Sequence, residues 1–190
     1  MLLGAGFGRR FGSDKRLAPL GDHTVAETTA AAYANAFEAV RIVLRADDHV
    51  LIERLQAFGE IVLTHQAHLG MSHTLAAGFS EISWEWGFVG LLDMPFITLD
   101  TLTHLQERAQ GSAQKIIRPV LAANLQADQT APHGHPMGFH RSLFSDLCAL
   151  TGDAGARSVL QTNLENIEDI VLTDTGIVRD IDRPEDLPAS

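Results

Sequence analysis

The sequence predicts a single-domain α/β fold in which a mostly parallel central sheet lies between two layers of helices, the three-layer Rossmann-like arrangement. Apolar runs of strand length alternate along the chain with amphipathic stretches of helix length, which is typical of repeated βαβ units. Residues 87–92 form an almost unbroken apolar run, as expected for a central strand that is buried on both faces. The 190 residues are enough for one domain with a substantial core.

The individual elements follow from the same periodicity. The chain begins with only three apolar residues, 1–3, so either the first strand is short or the true start lies upstream. A helix is expected from about residue 23, after a glycine-rich loop. Further strands are predicted at 40–44, 60–64, 87–92, 116–121 and 170–173, with a last short strand that ends at Asp180. Further helices are predicted at 50–57, 71–80, 98–109 and 140–150. The polar region 122–136 is predicted to be a loop or a β-hairpin lid.

Composition narrows the classes of partner. The chain has 24 acidic and 14 basic residues, and its net charge of −10 argues against nucleic-acid binding. The single cysteine, Cys148, excludes a disulfide framework, and its apolar surroundings predict a buried side chain. Neither a signal peptide nor an apolar stretch of membrane-spanning length is found. We therefore expect a cytoplasmic protein without a nucleic-acid or membrane partner, in which local cations and a metal ion would bind any polyanion.

The densest group of cations lies in a glycine-rich segment at residues 3–15, LGAGFGRRFGSDK. Glycine allows sharp turns and a close approach of backbone N–H groups to an anion, and the basic side chains supply matching charge. The segment therefore predicts a polyphosphate cradle. It contains no Walker A string, and the dinucleotide fingerprint fails because Arg9 or Phe11 stands where its third glycine is required. A flexible glycine-rich turn is the structural alternative.

This segment resembles the N-terminal signature of the MobA-like nucleotidyltransferases, L-A-[AG]-G-x-x-x-R-x-G-x-x-K. Gly6, Arg10, Gly12 and Lys15 fall on its fixed positions. The resemblance implies a nucleotidyltransferase fold with Arg10 and Lys15 as catalytic residues. It also implies nucleotide contacts from Leu3, Ala5, Gly6, Phe7, Gly8 and Gly12.

Two aspartates are candidate metal ligands. Asp93 follows the apolar run 87–92, and ligands of open α/β sheets bind beyond the carboxyl ends of the strands. By position alone it is equally a turn aspartate, but Leu92–Pro95 resembles the family's L-x-D-M-P element, whose aspartate binds the catalytic Mg²⁺. Residues 180–187, DIDRPEDL, resemble the family's D-I-D-T-P-E-D-L. We prefer Asp182 as the second ligand, although Asp180 shares its side of an extended segment and a solvated helix start is the alternative.

Three further motifs extend the resemblance. GMSHTLAAG at 70–78 resembles the G-M-x-x-S-L-x-x-G segment of the molybdenum cofactor cytidylyltransferases, which implies nucleotide contacts from Gly70, Ser72 and Thr74. Ser72 is equally explained as an ordinary helix N-cap. His135, in Gly-His-Pro, and Arg157, in GDAGAR, match motifs of the same family and are candidate contacts to an acceptor phosphate.

The resemblance implies transfer of CMP from CTP to the phosphate of molybdopterin with release of pyrophosphate and Mg²⁺ as cofactor. The nucleotide-binding part would span about 1–95 and the acceptor-binding part about 96–190, and a xanthine-oxidase-type apo-enzyme is a possible partner. The G-x-D-K pattern that ends at Lys15 is commoner in the guanylyltransferase branch. GTP or another NTP with a different phosphorylated acceptor therefore stays open, as does a non-catalytic nucleotide-binding or cofactor-binding module.

Overall fold

The centre of the fold is a mostly parallel sheet with helices on both faces. The computed structural model describes residues 1–6, 11–122 and 132–188. The strands are β1 Leu2–Leu3, β2 Pro19–Leu20, β3 His23–Thr24, β4 Arg41–Arg45, β5 Glu60–Thr64, β6 Trp86–Leu91, β7 Ile116–Leu121, β8 Met137–His140 and β9 Ile167–Leu172. The α-helices are α1 Val25–Ala36, α2 His49–Leu55, α3 Met71–Phe79, α4 Leu99–Gly111, α5 Phe144–Cys148 and α6 Arg157–Thr162.

The seven strands of the central sheet have the spatial order β5-β4-β1-β6-β8-β7-β9, and β2 and β3 form a separate antiparallel pair. In the central sheet β8 runs antiparallel to both of its neighbours, whereas the other pairings are parallel. The carboxyl ends of β1, β4, β6, β7 and β9 therefore lie at one edge. The predicted three-layer, mostly parallel α/β fold is confirmed.

Alternation along β4 divides the core between the two faces of the sheet. Ile42 and Leu44 pack with residues of α1, α2 and α4, whereas Val43 packs with residues of α3 and α5. All three side chains are fully buried. Burial of such a side chain contributes about 1.5–3 kcal/mol, so both faces hold the strand in register.

Helix α1 begins at a reciprocal capping box. The Thr24 hydroxyl accepts a hydrogen bond from the Glu27 N–H at 3.2 Å, and the Glu27 carboxylate accepts one from the Thr24 N–H at 2.8 Å. These bonds satisfy two backbone donors that the helix leaves open. They place the helix start at Val25, within the predicted region.

Three sequence-based assignments are wrong. The predicted last strand is absent, because Thr175–Val178 form a 3-10 turn that the Asp174 side chain caps through the Gly176 N–H at 2.8 Å. The predicted helix at 140–150 is shorter, because residues 137–140 belong to β8 and Arg141–Leu143 form a 3-10 turn before α5. Cys148 is exposed, since it lies at the outer end of α5.

Several short elements have no counterpart in the sequence-based assignment, namely β2, β3, β8 and α6. Of the predicted lid at 122–136, residues 123–131 lie outside the described residues. No helix in the described part of the chain combines the length and the apolar character needed to cross a membrane.

Candidate active site

A cleft of about 450 Å³ lies at the edge of the sheet where the parallel strands end. Its walls come from the loop after β1, the carboxyl end of β6, the start of α3 and the C-terminal segment. The residues that line it are Leu3, Gly4, Ala5, Gly6, Asp14, Lys15, Arg16, Ala67, Gly70, Met71, Thr74, Leu91, Leu92, Asp93, Asp153 and Asp182. Residues from widely separated parts of the sequence thus meet at one place.

Lys15 bridges the two aspartates that the sequence singles out as metal ligands. Its Nζ lies 2.6 Å from Oδ2 of Asp93 and 2.7 Å from Oδ1 of Asp182. Burial alone would lower the pKa of Lys15, but the hydrogen bonds and charges of Asp182 and Asp93 outweigh it and raise that pKa. The lysine is therefore held as an ammonium cation between two carboxylates at the floor of the cleft.

Backbone contacts hold Asp93 and Asp182 together. The N–H of Ile181 donates to the Asp93 carbonyl at 2.9 Å, which fastens the C-terminal segment to the end of β6. Ile181 is fully buried, so this contact is also anchored by packing. The Asp186 carboxylate accepts from the N–H groups of Asp182 at 2.9 Å and Arg183 at 2.7 Å, and so fixes the turn that presents Asp182.

Asp93, Asp180 and Asp182 form a group whose carboxylate oxygens lie within 4.8 Å of one another. Burial and the neighbouring charges of Asp182 and Asp93 raise the pKa of Asp180. Three carboxylates are a hard oxygen donor set, which suits Mg²⁺ or Mn²⁺ better than a soft metal. The residues present therefore fit a divalent cation, and Asp180 joins the pair of aspartates preferred from the sequence.

The glycine-rich segment forms the opposite wall. The Gly4 N–H continues the β1 pairing by donating to the Val43 carbonyl at 2.9 Å. Within residues 1–6, 11–122 and 132–188, the backbone N–H groups of Ala5 and Gly6 have no hydrogen-bond acceptor, although both residues line the cleft. Gly12 adopts a φ of +80°, a conformation that glycine takes without strain.

Three residues assigned from the motif, Phe7, Gly8 and Arg10, lie outside the described residues. Of the other residues assigned from the motif, Leu3 lines the cleft, as do Ala5 and Gly6, whereas Gly12 is not part of the cleft lining. The structure therefore brings together Lys15, Asp93 and Asp182 with the start of the loop.

A network that sequence reasoning missed lies beneath the loop. The guanidinium of Arg16 pairs with Asp14 at 2.7 Å and with Asp48 at 2.7 Å, and it donates to the Gly4 carbonyl. Asp48 also pairs with Arg45 at 2.5 Å. These contacts raise the pKa of Arg16 against the effect of burial, and the Arg16 charge lowers the pKa of Asp14. Nothing in the local pattern relates residue 16 to residue 48, so the sequence held no signal for their pairing.

The start of α3 is covered by the loop at residues 152–155. The Met71 N–H donates to the Asp153 carboxylate at 3.1 Å, and the Ser72 N–H donates to the Gly152 carbonyl at 3.2 Å. Gly70, not Ser72, occupies the N-cap position, with a φ of +118°. A Cβ at Gly70 would lie 2.4 Å from the Gly152 carbonyl oxygen, so only glycine fits this contact.

Ser72 and Thr74, two of the three candidate nucleotide contacts near α3, have side chains in different surroundings. Ser72 is fully buried and its hydroxyl donates to the Gly155 carbonyl at 3.2 Å, so it faces the 152–155 loop. Thr74 lines the cleft. Its hydroxyl has no hydrogen bond within the described part of the chain, and it is therefore available to a ligand.

His135 and Arg157, the candidate acceptor contacts, lie outside the cleft lining. His135 is half-buried beside the end of β6, where its Nδ1 lies 3.2 Å from the Val89 carbonyl oxygen. Burial lowers its pKa, although the charges of Asp93 and Asp180 act in the opposite direction. Arg157 is exposed at the first position of α6, just beyond the 152–155 loop.

Comparison with known proteins gives one family and a consistent set of folds. The sequence profile described as MobA-like NTP transferase domain matches residues 1–168. No curated protein sequence matches the chain.

Solved structures match nearly the whole chain. Rv0371c from Mycobacterium tuberculosis H37Rv aligns with 21% identity over 97% of this chain and 92% of its own, with a TM-score of 0.80. Its manganese complex aligns with 20% identity over 90% and 85%, with a TM-score of 0.72. An Rv0371c homologue from Mycobacterium sp. strain JC1 is 28% identical over 97% and 90%, with a TM-score of 0.79. The nucleotidyl transferase Mth528 from Methanothermobacter thermautotroptrophicus is 19% identical over 97% and 92%, with a TM-score of 0.76.

Proposed function

Because this chain belongs to the MobA-like NTP transferase domain family, we propose that it transfers CMP from CTP to the terminal phosphate of a molybdopterin-type acceptor and releases pyrophosphate. The observation that carries the proposal is the bridge from Lys15 to Asp93 and Asp182 at the foot of the glycine-rich loop. The Lys15 ammonium and the carboxylates lie beside the N–H groups of Ala5 and Gly6, which have no acceptor among the described residues, and together they would form a site for a triphosphate.

The loop after β1 would bind the phosphates. The N–H groups of Ala5 and Gly6 would donate to the β- and γ-phosphates, with Phe7, Gly8 and Arg10 completing the loop in this proposal. Lys15 would stabilise the negative charge on the α-phosphate and on the leaving pyrophosphate. The attacking oxygen of an acceptor phosphate is already anionic, so alignment and charge neutralisation are the main requirements.

Asp93 and Asp182 would hold Mg²⁺, and Asp180 is placed to join them. The ion would neutralise negative charge on the α-phosphate and the incoming oxygen. The manganese complex of Rv0371c supports a divalent cation in this fold. Lys15 would leave the carboxylates when the ion binds, and its side chain would then point to the phosphates.

CTP is favoured over GTP by the GMSHTLAAG segment at 70–78. Thr74 would contact the base from the cleft wall, whereas Ser72 would support the wall from behind through Gly155. The pattern that pointed to a guanylyltransferase was Asp14 before Lys15. Asp14 has a structural task that is independent of the base, since its side chain caps the turn at Lys15–Leu17 and pairs with Arg16.

In this proposal the two halves of the chain bind different substrates. Residues 1–95 would bind the nucleotide, and residues 96–190 would bind the acceptor, with His135 and Arg157 contacting its phosphate. The Nδ1 of His135 lies 3.2 Å from the carbonyl oxygen of Val89, four residues before Asp93 along the chain, which supports a place for His135 near the metal-binding end of β6. A xanthine-oxidase-type apo-enzyme would receive the product.

The test measures pyrophosphate release by the purified protein with Mg²⁺ and each of the four NTPs in turn, with and without molybdopterin. We expect release with CTP and molybdopterin together. Pyrophosphate release with GTP and with no other nucleotide would assign the protein to the guanylyltransferase branch. Absence of release with every nucleotide would favour the non-catalytic binding module.

Site variants make the same assay specific to the cleft. Asp93→Asn should reduce turnover by about 100- to 1000-fold, the loss typical of one contact to developing charge. The matched control is Asp169→Asn, because Asp169 is likewise paired with a basic side chain, that of Arg118 at 2.6 Å, but lies on the edge strand β9 away from the cleft. Near-normal release by Asp93→Asn would refute the assignment.

A further inference from the structure

The loop after β1 is attached from below by two arginines that share one carboxylate. The Arg16 side chain is 5% exposed and the Asp48 side chain 4% exposed. Two parallel bonds join them, from NH1 to Oδ2 at 2.8 Å and from NH2 to Oδ1 at 2.7 Å. Arg45 binds the same carboxylate with its guanidinium at 2.5 Å and with its backbone N–H at 3.0 Å.

Each arginine also binds one carbonyl oxygen of the loop. Arg16 donates to the Gly4 carbonyl, and Arg45 donates to the Gly6 carbonyl at 3.0 Å. Both carbonyls are thereby turned toward the end of β4. A carbonyl oxygen that faced the cleft would repel a phosphate, whereas a loop whose oxygens are held elsewhere presents N–H groups to it.

The same arginine fixes the turn that carries Lys15. Asp14 accepts bonds from the Arg16 backbone N–H at 3.1 Å and from its Nε at 2.8 Å. The residues on both sides of Lys15 are therefore pinned, and its side chain extends toward Asp93 and Asp182. A guanidinium with this many fixed acceptors is well suited to hold geometry, since its donors form a rigid fork.

This group carries no net positive charge. Arg16 and Arg45 are paired with three carboxylates, those of Asp14, Asp47 and Asp48, so the group does not attract an anion by its charge. Its effect on an anion must therefore come from the orientation of the loop.

We propose that Arg16, Asp48 and Arg45 form a carbonyl brace, a set of positioning residues that holds the Gly4 and Gly6 carbonyls away from the cleft and so prepares the loop for a polyphosphate. The proposal rests on the proposed function in that the polyphosphate is the nucleotide's. The brace needs no contact with the base or the acceptor.

Strand β4 supplies its own control. It carries an arginine at each end, and both pair with a carboxylate and with backbone carbonyls. Arg41, at the end away from the cleft, binds Glu60 at 2.7 Å and the carbonyls of Gly78 and Ser80 at 3.2 and 2.5 Å. Arg45→Lys and Arg41→Lys therefore each replace a guanidinium group by an ammonium group, at opposite ends of the same strand.

The experiment measures the affinity for inorganic tripolyphosphate with Mn²⁺ by calorimetry, and KM and kcat for the NTP, well below the unfolding midpoint of each variant. Arg45→Lys should weaken tripolyphosphate binding about tenfold or more, the loss typical of a charge-assisted hydrogen bond. Its KM should rise by a similar factor with kcat changed less, because binding to ground state and transition state suffers equally. Asp48→Asn should have the larger effect, and Arg41→Lys should match the wild-type protein.

Equal affinity in Arg45→Lys and the wild-type protein, or an equal loss in Arg41→Lys, would overturn the brace. If Asp48→Asn does not fold, Arg45→Lys decides alone, since it keeps the charge. Tripolyphosphate binding that responds to Arg45→Lys in a protein that turns over no NTP would refute the proposed function and leave the brace in place.

Discussion

Replacing Lys15 with methionine should make the protein less stable without metal and more responsive to metal. Methionine keeps an unbranched, flexible side chain that is one atom shorter and removes its charge, which leaves Asp93 and Asp182 facing each other. Both bridges are short, and the exposed fractions are 13% for Lys15, 19% for Asp93 and 41% for Asp182.

The magnitude lies between two limits. Breaking a buried ion pair costs about 3–5 kcal/mol, whereas exposed pairs contribute about 0–1 kcal/mol. For this partly exposed bridge we expect a loss of about 2 kcal/mol. In a domain of this size that lowers the midpoint of thermal unfolding by about 4–8 °C in metal-free buffer.

Bound Mn²⁺ should reverse the loss, because it supplies the missing positive charge. In the wild-type protein the ion must first displace the ammonium, so its net stabilisation is smaller. The upward shift of the unfolding midpoint on addition of Mn²⁺ should therefore be larger in Lys15→Met, by about the 4–8 °C that the substitution removes.

Scanning calorimetry with and without Mn²⁺ measures both shifts. The matched control is Arg118→Met, because Arg118 and Asp169 are exposed to similar extents, 18% and 46%, and lie far from the cleft. It should lose stability without any change in the response to Mn²⁺. An equal Mn²⁺ shift in Lys15→Met and the wild-type protein would show that the metal does not share this position with the lysine.

Three further substitutions test the fold around the cleft. Tyr33→Phe should raise the free energy of unfolding by about 1 kcal/mol in urea denaturation, because the buried Tyr33 hydroxyl has no hydrogen-bond partner among the described residues; a loss would contradict this. Gly70→Ala should lower that free energy by about 2 kcal/mol or more, since its φ and the nearby Gly152 carbonyl exclude a Cβ; nucleotide binding, measured by calorimetry, should weaken with it. Asp174→Ala should lose about 1–2 kcal/mol near pH 7. Burial would raise the pKa of Asp174, but hydrogen bonds from the Thr98 N–H and neighbouring groups lower that pKa overall. The stabilisation by Asp174 is therefore present above the unfolded pKa of about 3.9 and is lost as the pH falls through the lower folded pKa. A stability deficit of Asp174→Ala that does not depend on pH would contradict this.

The sheet and the centre of the site could be predicted because both are encoded locally. The run of apolar residues at 87–92 identifies a buried central strand, and Asp93 was predicted as a ligand because it comes directly after the carboxyl end of this strand. Lys15 and Asp182 were predicted because each lies in a short segment, 3–15 or 180–187, that resembles a motif of the family. The motifs predicted Asp93 opposite the glycine-rich loop with Asp182 beside it. The direct contacts of Lys15 with both carboxylates were not predicted, and the roles assigned to these residues stay predictions.

The remaining features depend on tertiary contacts. Ile177 and Ile181 are both buried, and the alternation around them favours a strand. The Asp174 side chain instead caps a turn there, and Gly176 packs so closely on Phe96 that a Cβ would lie 2.2 Å from its carbonyl oxygen. The pairing of Arg16 with Asp48 joins residues 32 positions apart, and no periodicity encodes such a contact.

The reversed direction of β8 has a consequence for how such a protein can change its substrate. Since β7 ends and β8 begins at the same edge of the sheet, the connection between them starts and finishes beside the cleft. Residues 132–135, at the end of this connection, belong to the framework of the sheet, since they are hydrogen-bonded to Pro119, Leu121 and Ile177. Under the proposed function, in which residues 96–190 bind the acceptor, a chimaera that exchanges this connection to change the acceptor should therefore keep residues 132–135 in place.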